Sequence, residues 1–554
     1  MDALVSLTGS ATIKGSHDKA DEPKDRERTG RSWNQSESVI VLKPIQKGEG
    51  STPGERELTK LADLAFFGLW SYPSVHRRIV KGGRTIKHEV VDLIVVFGKD
   101  VILFSEKDIK FPSTGDTKVN WGRWLRQSVL GSLDQLRGAE RYIRSGRSKL
   151  FLNRKCTQPF PFALDDPELR THLVAICRNS IEPAQNYFAK FTEKGAPDST
   201  GSLAFSALMR EEQMLANPFW VGDIDPSKTF VHVFDEGSLN LLFTELDAGP
   251  DFIDYLVERE RAIRKEHLSV IYGEEDFLAV YFSNLQPNGF GAYRPYRPIP
   301  ANVDDFLFTL EEGMWSALRN SGIYAFFEGQ RKAAMAWKRV TNDLSEAILS
   351  ANVGSEVSTE SLTTHERVVR VMASENRASR AVLGHMLIEK FNTVPGQARS
   401  ARVVPSLAHP KRIYIFLLFP WIDAHVNYDG YREERKACMK LYARASQVKF
   451  PSYSEIVVLG ADTKGSPVSS ETVLVAERDP NLSDAEIAEI LSMMEEHQIL
   501  TTFADPASLS FHPITPDARI FDSFWAAPPP DKLPGVNAPC YCGSGRKYKK
   551  CCRP

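Results

Sequence analysis

Four of the seven cysteines, Cys540, Cys542, Cys551 and Cys552, fall inside the last fifteen residues of a 554-residue chain. A secreted disulfide framework spreads its pairs through a small chain, whereas Cys156, Cys177 and Cys438 are scattered here. Crowded thiols of this kind read as ligands of one Zn²⁺ in a closed tetrahedral site, with no open position for substrate water. The alternative is four free thiols in a disordered tail. Eight residues separate the two pairs and open with Gly543-Ser544-Gly545, enough to turn the chain back. The metal would supply the folding energy that ~20 residues cannot draw from a hydrophobic core. Arg546, Lys547, Lys549, Lys550 and Arg553, with no acid after Asp531, give this tail a charge near +5. That suits an acidic protein surface or nucleic acid equally.

The rest of the chain is too long for one core and predicts roughly three or four units. Hydrophobic residues make up 42% and charged residues 25%, ordinary for a globular protein. Lys plus Arg is 69 against 71 Asp plus Glu, a net charge of −2, which excludes a globally basic binder but not a local basic patch. The longest apolar runs, Ile413–Phe419 and Leu93–Phe97, fall short of the ~20 residues a membrane helix needs. Met1–Lys14 has no basic flank before a long apolar core, so no secretory signal is expected and the expected compartment is cytoplasmic.

Residues 1–50 are polar and mixed in charge and are expected to form a flexible arm. A helix is predicted from Pro53 to Trp70, with Thr52 as N-cap and Leu58, Leu61, Ala62, Ala65 and Leu69 at helical spacing. Two β-rich runs, Lys87–Phe97 and Val101–Lys107, flank Gly98-Lys99-Asp100 and read as a hairpin. A long helix over Trp121–Ile143 carries an apolar stripe and a second stripe of Ser128, Ser132 and Ala139 with Gln135. Strands and helices then alternate to residue 285, a helical pattern fills 286–395, and an α+β unit spans 396–520. A Pro-rich linker (521–537) leads to the cysteine tail at 538–554.

The hairpin carries charges at its ends: Asp92 heads one strand, and Glu106 and Lys107 end the other. If Lys99-Asp100 is a two-residue turn, Asp92 faces Lys107; with a turn one residue longer it faces Glu106, and a bulge near Ser105 would gather all three. Basic residues flank the hairpin. Arg77, Arg78, Lys81, Arg84 and Lys87 occur in eleven residues without an acid, and Arg123 and Arg126 open a second basic stretch. Such stripes suit a phosphate backbone, although any one residue could simply solvate a surface. His88 and Glu89 read as strand-face residues, Glu89 on the face opposite Asp92.

Two resemblances follow. Ala538–Cys552, with its Pro-Cys-x-Cys-Gly-Ser-Gly opening and paired cysteines, resembles the SEC-C motif, which implies a structural zinc knuckle that binds a partner, a protein or nucleic acid. Residues 50–180 resemble the PD-(D/E)XK (restriction-endonuclease-like) nuclease superfamily, whose core runs helix, hairpin, helix, strand. That implies an α/β fold, a restriction-endonuclease-like mixed sheet flanked by helices, followed here by a helical region, a small α+β domain and the zinc knuckle. It matches Asp92 to the first metal-binding acid and Lys107 to the lysine, with Glu55 and Glu57 on the preceding helix, where such nucleases often use a glutamate, and Gln135 on the following one, as helix-borne site residues (Glu57 and Gln135 foremost). The family's second acid lies two residues before the lysine, where this chain has Ser105. Either Glu106 serves through a bulge, a helix acid such as Glu57 replaces it, or the site is inactive. The implied chemistry is Mg²⁺- or Mn²⁺-assisted hydrolysis of DNA or RNA phosphodiesters, with Asp92 and Glu106 on the metal. By analogy of fold class alone, such domains act in antiviral defence or repair. The alternative is a non-catalytic nuclease-like scaffold that binds nucleic acid or protein and is recruited through the tail.

Overall fold

The structure, a computed structural model, describes residues 7–8, 42–191 (except 82–83, 114 and 147), 203–294, 308–353 (except 311), 361–466 (except 423–424 and 426), 470–503 and 547. Within the stretch expected to be a loose arm, Leu7–Thr8 (β1) form an edge strand. Leu42 and Ile45 pack on the core, and the Ile45 N–H donates to the Leu349 carbonyl at 2.9 Å.

Helix α1 (Pro53–Phe66) begins where expected: Thr52 Oγ1 accepts from the Glu55 N–H at 3.0 Å, and Pro53 occupies the first turn. Left-handed Phe67 and Gly68 stop it. The chain then makes three antiparallel strands, β2 (Ser71–Lys81), β3 (Arg84–Phe97) and β4 (Asp100–Lys107), where the sequence predicts two. The outer part of β2 is so rich in Arg and Lys that no strand pattern shows. Helix α2 (Thr117–Leu125), a π-helical turn (Arg126–Leu130) and α3 (Gly131–Arg144) cross back to β5 (Arg170–Cys177), which runs parallel to β4. Between β5 and β8 lie α4 (Ile181–Phe188), β6 (Ala204–Ser206), α5 (Glu211–Ala216) and β7 (Trp220–Val221); β8 (Val231–Phe234) then pairs parallel to β5. The sheet order is β2-β3-β4-β5-β8. Neighbouring residues of β4 reach opposite faces: Ser105 meets Ser132 of α3, and Glu106 lies against Gly54 of α1. Helices therefore cover both faces, and the inner strands read as near-continuous apolar runs.

Helices α6 (Glu236–Glu245) and α7 (Gly249–Lys265), strand β9 (Leu268–Ile271), α8 (Glu274–Ser283) and β10 (Phe308–Thr309) follow. Strands β10-β9-β6-β7 form a second, four-stranded sheet that carries this unit past the boundary expected at residue 285. Its strands have two to four residues each, too short for the sequence pattern to reveal. The acidic start of α8 is structural: Glu274 pairs with Arg259 at 2.8 Å, and Asp276 accepts from the Trp315 N–H at 2.9 Å.

Helices α9 (Met314–Arg319), α10 (Gly322–Leu349), α11 (Leu362–Ala373) and α12 (Arg377–Thr393) lead to β11 (Ser400–Pro405), β12 (Arg412–Phe419), α13 (Tyr428–Lys449), β13 (Glu455–Asp462), β14 (Glu471–Glu477) and α14 (Asp484–Glu496). The third sheet, β1-β14-β13-β12-β11, alternates its side chains cleanly. Tyr414, Phe416, Val457 and Leu459 face Trp337 of α10, while Ile413, Ile415, Ile456 and Val458 face α13 and α14. The boundary expected near residue 395 is thus a helix-to-strand connection inside one shared core. Helix α11 also reaches the first unit, where Trp70 Nε1 donates to Glu366 at 2.6 Å. Among the described residues the chain is a mixed α/β protein with three mixed sheets flanked by helices. Among the described residues no helix is long and apolar enough to cross a membrane.

One buried acid group ties α7 to its neighbours. Asp251 accepts from the Arg377 N–H and Asp254 from the Tyr281 hydroxyl, both at 2.8 Å. Burial pushes Asp251 up to about 6 and Asp254 up to about 7. A raised carboxyl favours the folded state while protonated, so this contribution is present below the unfolded carboxyl range and is lost as pH rises through about 6–7. Asp254→Asn is expected to flatten that loss and gain about 2 kcal/mol near pH 8 relative to pH 5. Urea midpoints at the two pH values measure it, and equal pH dependence in both proteins would refute it.

Candidate active site

The β3–β4 turn is Gly98-Lys99, with Gly98 at φ 63° and Phe97 paired to Asp100. It has the two-residue length considered from the sequence but lies one position earlier than Lys99-Asp100. The register pairs Leu93 with Phe104, and its continuation sets Asp92 opposite Ser105, not Glu106 or Lys107. Ser105 and Lys107, two residues apart, share Asp92's face. There α3 delivers Gln135, whose Nε2 donates to Asp92 Oδ1 at 2.9 Å. Gln135 Oε1 accepts from Lys107 Nζ at 2.5 Å and from Ser105 Oγ at 2.9 Å. Lys107 Nζ is 3.9 Å from Asp92 Oδ2, and the Glu106 N–H donates to that same oxygen at 2.6 Å. Asp92, Lys107 and Gln135 thus come together.

Glu106 and Glu57 do not join them. Glu106 is on the other face of β4, where its Oε1 accepts from Arg178 Nε, and Arg178 also pairs with Glu57 at 2.9 Å. A Cβ on Gly54 would stand 1.9 Å from Glu106 Oε1, so that glycine makes room for the carboxylate at the start of α1. Burial raises Glu106 while Arg178 pulls it down. The expected placement of Glu106 on a metal beside Asp92 is corrected: strand alternation turns its side chain toward Arg178.

Two other acids approach Asp92 instead. Glu55, one residue after Gly54, is buried and accepts at Oε2 from the Ser51 N–H at 2.6 Å and the Ser74 hydroxyl at 3.0 Å. Glu89 arrives through a bulge. Val75 pairs with Val91 but His76 pairs with Glu89, which leaves Val90 as the extra residue on β3, next to left-handed Ser74. A bulge interrupts strict alternation and re-aims side chains, so Glu89 is not confined to the far face. Burial raises Glu89, followed by repulsion from Asp92 and Glu55, with the Ser74 hydroxyl and then Lys107 pulling it down. Asp92 is likewise raised, chiefly by burial and further by Glu55, against Lys107, the Glu106 N–H and Gln135. Glu89 Oε1 is buried without a hydrogen-bond partner. The bulge had no sequence signal; Glu55 had one, its place directly behind the Thr52-Pro53 cap.

Among the described residues no three His, Cys, Asp or Glu side chains gather into a ready-made metal cage. The basic residues form a surface. Arg78, Arg84 and Lys87 are exposed on the β2–β3 hairpin, Arg77 is half-buried there, and Arg123 and Arg126 are exposed beside α2. Lys81 ends β2, and its side chain is outside the described residues. Cys540, Cys542, Cys551 and Cys552 also lie outside them. The SEC-C motif matches residues 537–554, so the chain carries that motif at its end. No curated protein and no solved structure matches the chain.

Proposed function

We propose that the first unit is a PD-(D/E)XK-like nuclease domain that hydrolyses DNA or RNA phosphodiesters with Mg²⁺ or Mn²⁺. One observation carries the reading. The charges of Glu55, Glu89 and Asp92 act on one another: burial first and then repulsion raise Glu89 and Asp92, Lys107 offsets this in part, the Ser74 hydroxyl also lowers Glu89, and Glu89 Oε1 is buried without a hydrogen-bond partner. A buried carboxylate oxygen without a donor calls for a cation. The order helix, three antiparallel strands, helix, parallel strand supports the same reading.

Asp92 with Glu89 or Glu55 would hold the ion, leaving positions for substrate oxygens as Mg²⁺ prefers. When bound, such an ion polarises the phosphate and lowers the pKa of a bound water. Lys107 Nζ, held by Gln135, offsets charge developing on the phosphate. Gln135 is a positioning residue that fixes Asp92 and Lys107 relative to each other. The test is cleavage of labelled DNA and RNA in Mg²⁺, Mn²⁺ or EDTA. Cutting that is absent in every metal, with nucleic acid still bound in EDTA, would favour the non-catalytic scaffold. That second reading draws on Ser105 in place of an acid and on Asp92 being fully hydrogen-bonded without a metal.

The tail, in this reading, is a four-thiolate zinc knuckle that attaches a protein partner, consistent with the motif at 537–554. One zinc per chain is expected by metal analysis, and Cys540→Ser should lose it without shifting the melting of the remainder. Full zinc retention in that variant would count against the site.

A further inference from the structure

We infer that the outer half of the β2–β3 hairpin enters the major groove of B-form DNA and makes the protein selective for DNA duplexes. This rests on the nucleic-acid reading above and names its substrate class. Strand β4 pairs with β3 only from Leu93 onward, so beyond the bulge β2 and β3 run on as a two-stranded ribbon. The rungs there are Arg77–His88, Arg78–Lys87 and Ile79–Ile86, and no acid occurs between His76 and His88. Lys87 stands directly across from Arg78, and like charges placed opposite destabilise a ladder. A hairpin that sets cation against cation gains on meeting a polyanion.

The arginines are braced for it. Arg77 lies 4.6 Å from the Tyr142 ring centroid and Arg78 5.1 Å from that of Phe151, with Arg78 also donating to the Cys156 carbonyl. Arg77 Nε and Arg137 Nε on α3 are buried without a hydrogen-bond partner. A purely solvated charged face would not leave guanidinium donors desolvated and unmet.

Shape and chemistry select the duplex. The B-DNA major groove, about 12 Å wide, admits a two-stranded ribbon, whereas that of A-form RNA is too narrow for side chains to read. Ile86, 46% exposed between the basic rungs, suits contact with thymine methyls in that groove. Single strands are held by exposed aromatic platforms, but the ribbon from Arg77 to His88 contains no Phe, Tyr or Trp, and the Tyr142 and Phe151 rings lie beneath arginines. Lys87 is five residues from Asp92 along β3, a strand distance of about 17 Å, so a duplex held at both must span about five base pairs.

The test is fluorescence anisotropy with the full-length chain in EDTA, using a 20-base-pair DNA duplex, the matching RNA duplex and the single DNA strand over a salt series. Wild type is expected to bind the DNA duplex at least tenfold tighter than the other two. Arg84→Ser/Lys87→Ser, checked for unchanged melting, should lose at least tenfold on the DNA duplex, with a salt slope smaller by about 2. Equal binding by wild type and the double variant would overturn the ribbon's role while leaving the nuclease reading to the cleavage assay. Preference for RNA or for the single strand would overturn the duplex assignment. Binding to none of the three would overturn both this inference and the nucleic-acid reading beneath it.

Discussion

Asp92→Ala and Asp92→Asn are expected to lower Mg²⁺-dependent cleavage by about a thousandfold, and Lys107→Ala by about a hundredfold or more. Asp92 is the acid on which the local geometry converges: the Glu106 N–H, Gln135 Nε2 and Lys107 all point at its two oxygens. The asparagine variant keeps the shape and removes the charge, so a loss in both variants separates chemistry from folding. Glu89→Gln should cost tens- to hundredfold, because it changes a carboxylate whose Oε1 is buried without a hydrogen-bond partner. Glu106→Gln should leave cleavage largely intact and lower stability, since it breaks the pair with Arg178. The opposite ranking, with Glu106→Gln crippling and Glu89→Gln silent, would return the second acid to Glu106. Burial raises Asp92 and Glu89, and a raised acid ionises above the ordinary carboxylate range. Protons therefore compete with Mg²⁺ for these carboxylates, so the Mg²⁺ concentration needed for half-maximal cleavage should fall as pH rises through and above that range, and a requirement independent of pH would refute the shift.

The helices, the main strands and the pair Asp92–Lys107 were legible in the sequence because their signals are local. Caps such as Thr52, apolar periodicity and a glycine turn act within a few residues. Among the acids near Asp92, Glu55 was legible beside Glu57 on the first helix, but the loss of Glu106 and the approach of Glu89 were not, because they depend on two long-range facts. A one-residue difference in the turn moved Asp92 from Glu106 to Ser105, and a bulge at Val90 re-aimed Glu89. Strand β2 was missed for a different reason: half of it is a charged ribbon outside the core and shows no apolar alternation. The packing across residue 395 was not legible, because a sheet with two apolar faces joins the helices before it to those after it.

Arg435 illustrates the same limit and yields the largest stability effect. In sequence it stands among other charged residues, in Tyr431-Arg-Glu-Glu-Arg-Lys, with nothing local to mark it as buried. In the structure it is fully buried and pairs with Asp462 at the end of β13. It also donates to the Ser470 carbonyl at 3.0 Å and to Ser470 Oγ and Thr472 Oγ1, each at 2.9 Å. Asp462 accepts further from the Tyr431 hydroxyl at 2.6 Å and the Ser470 N–H at 3.0 Å. This network locks α13 to β13 and to the start of β14. Arg435→Leu removes the only cation of the pair and strands a buried carboxylate, which costs about 3–5 kcal/mol. Against a melting entropy of roughly 2 cal/mol/K per residue over this whole chain, calorimetry should register that loss as a fall in Tm of about 3–4 °C. Arg435→Leu/Asp462→Leu should recover part of this, because the unpaired charge is gone although Ser470 and Thr472 still lack partners. If the double variant is as unstable as the sum of its singles, lost packing and not the stranded charge governs the site. If Arg435→Leu melts with wild type, the buried pair contributes nothing and α13 is held by its apolar face alone.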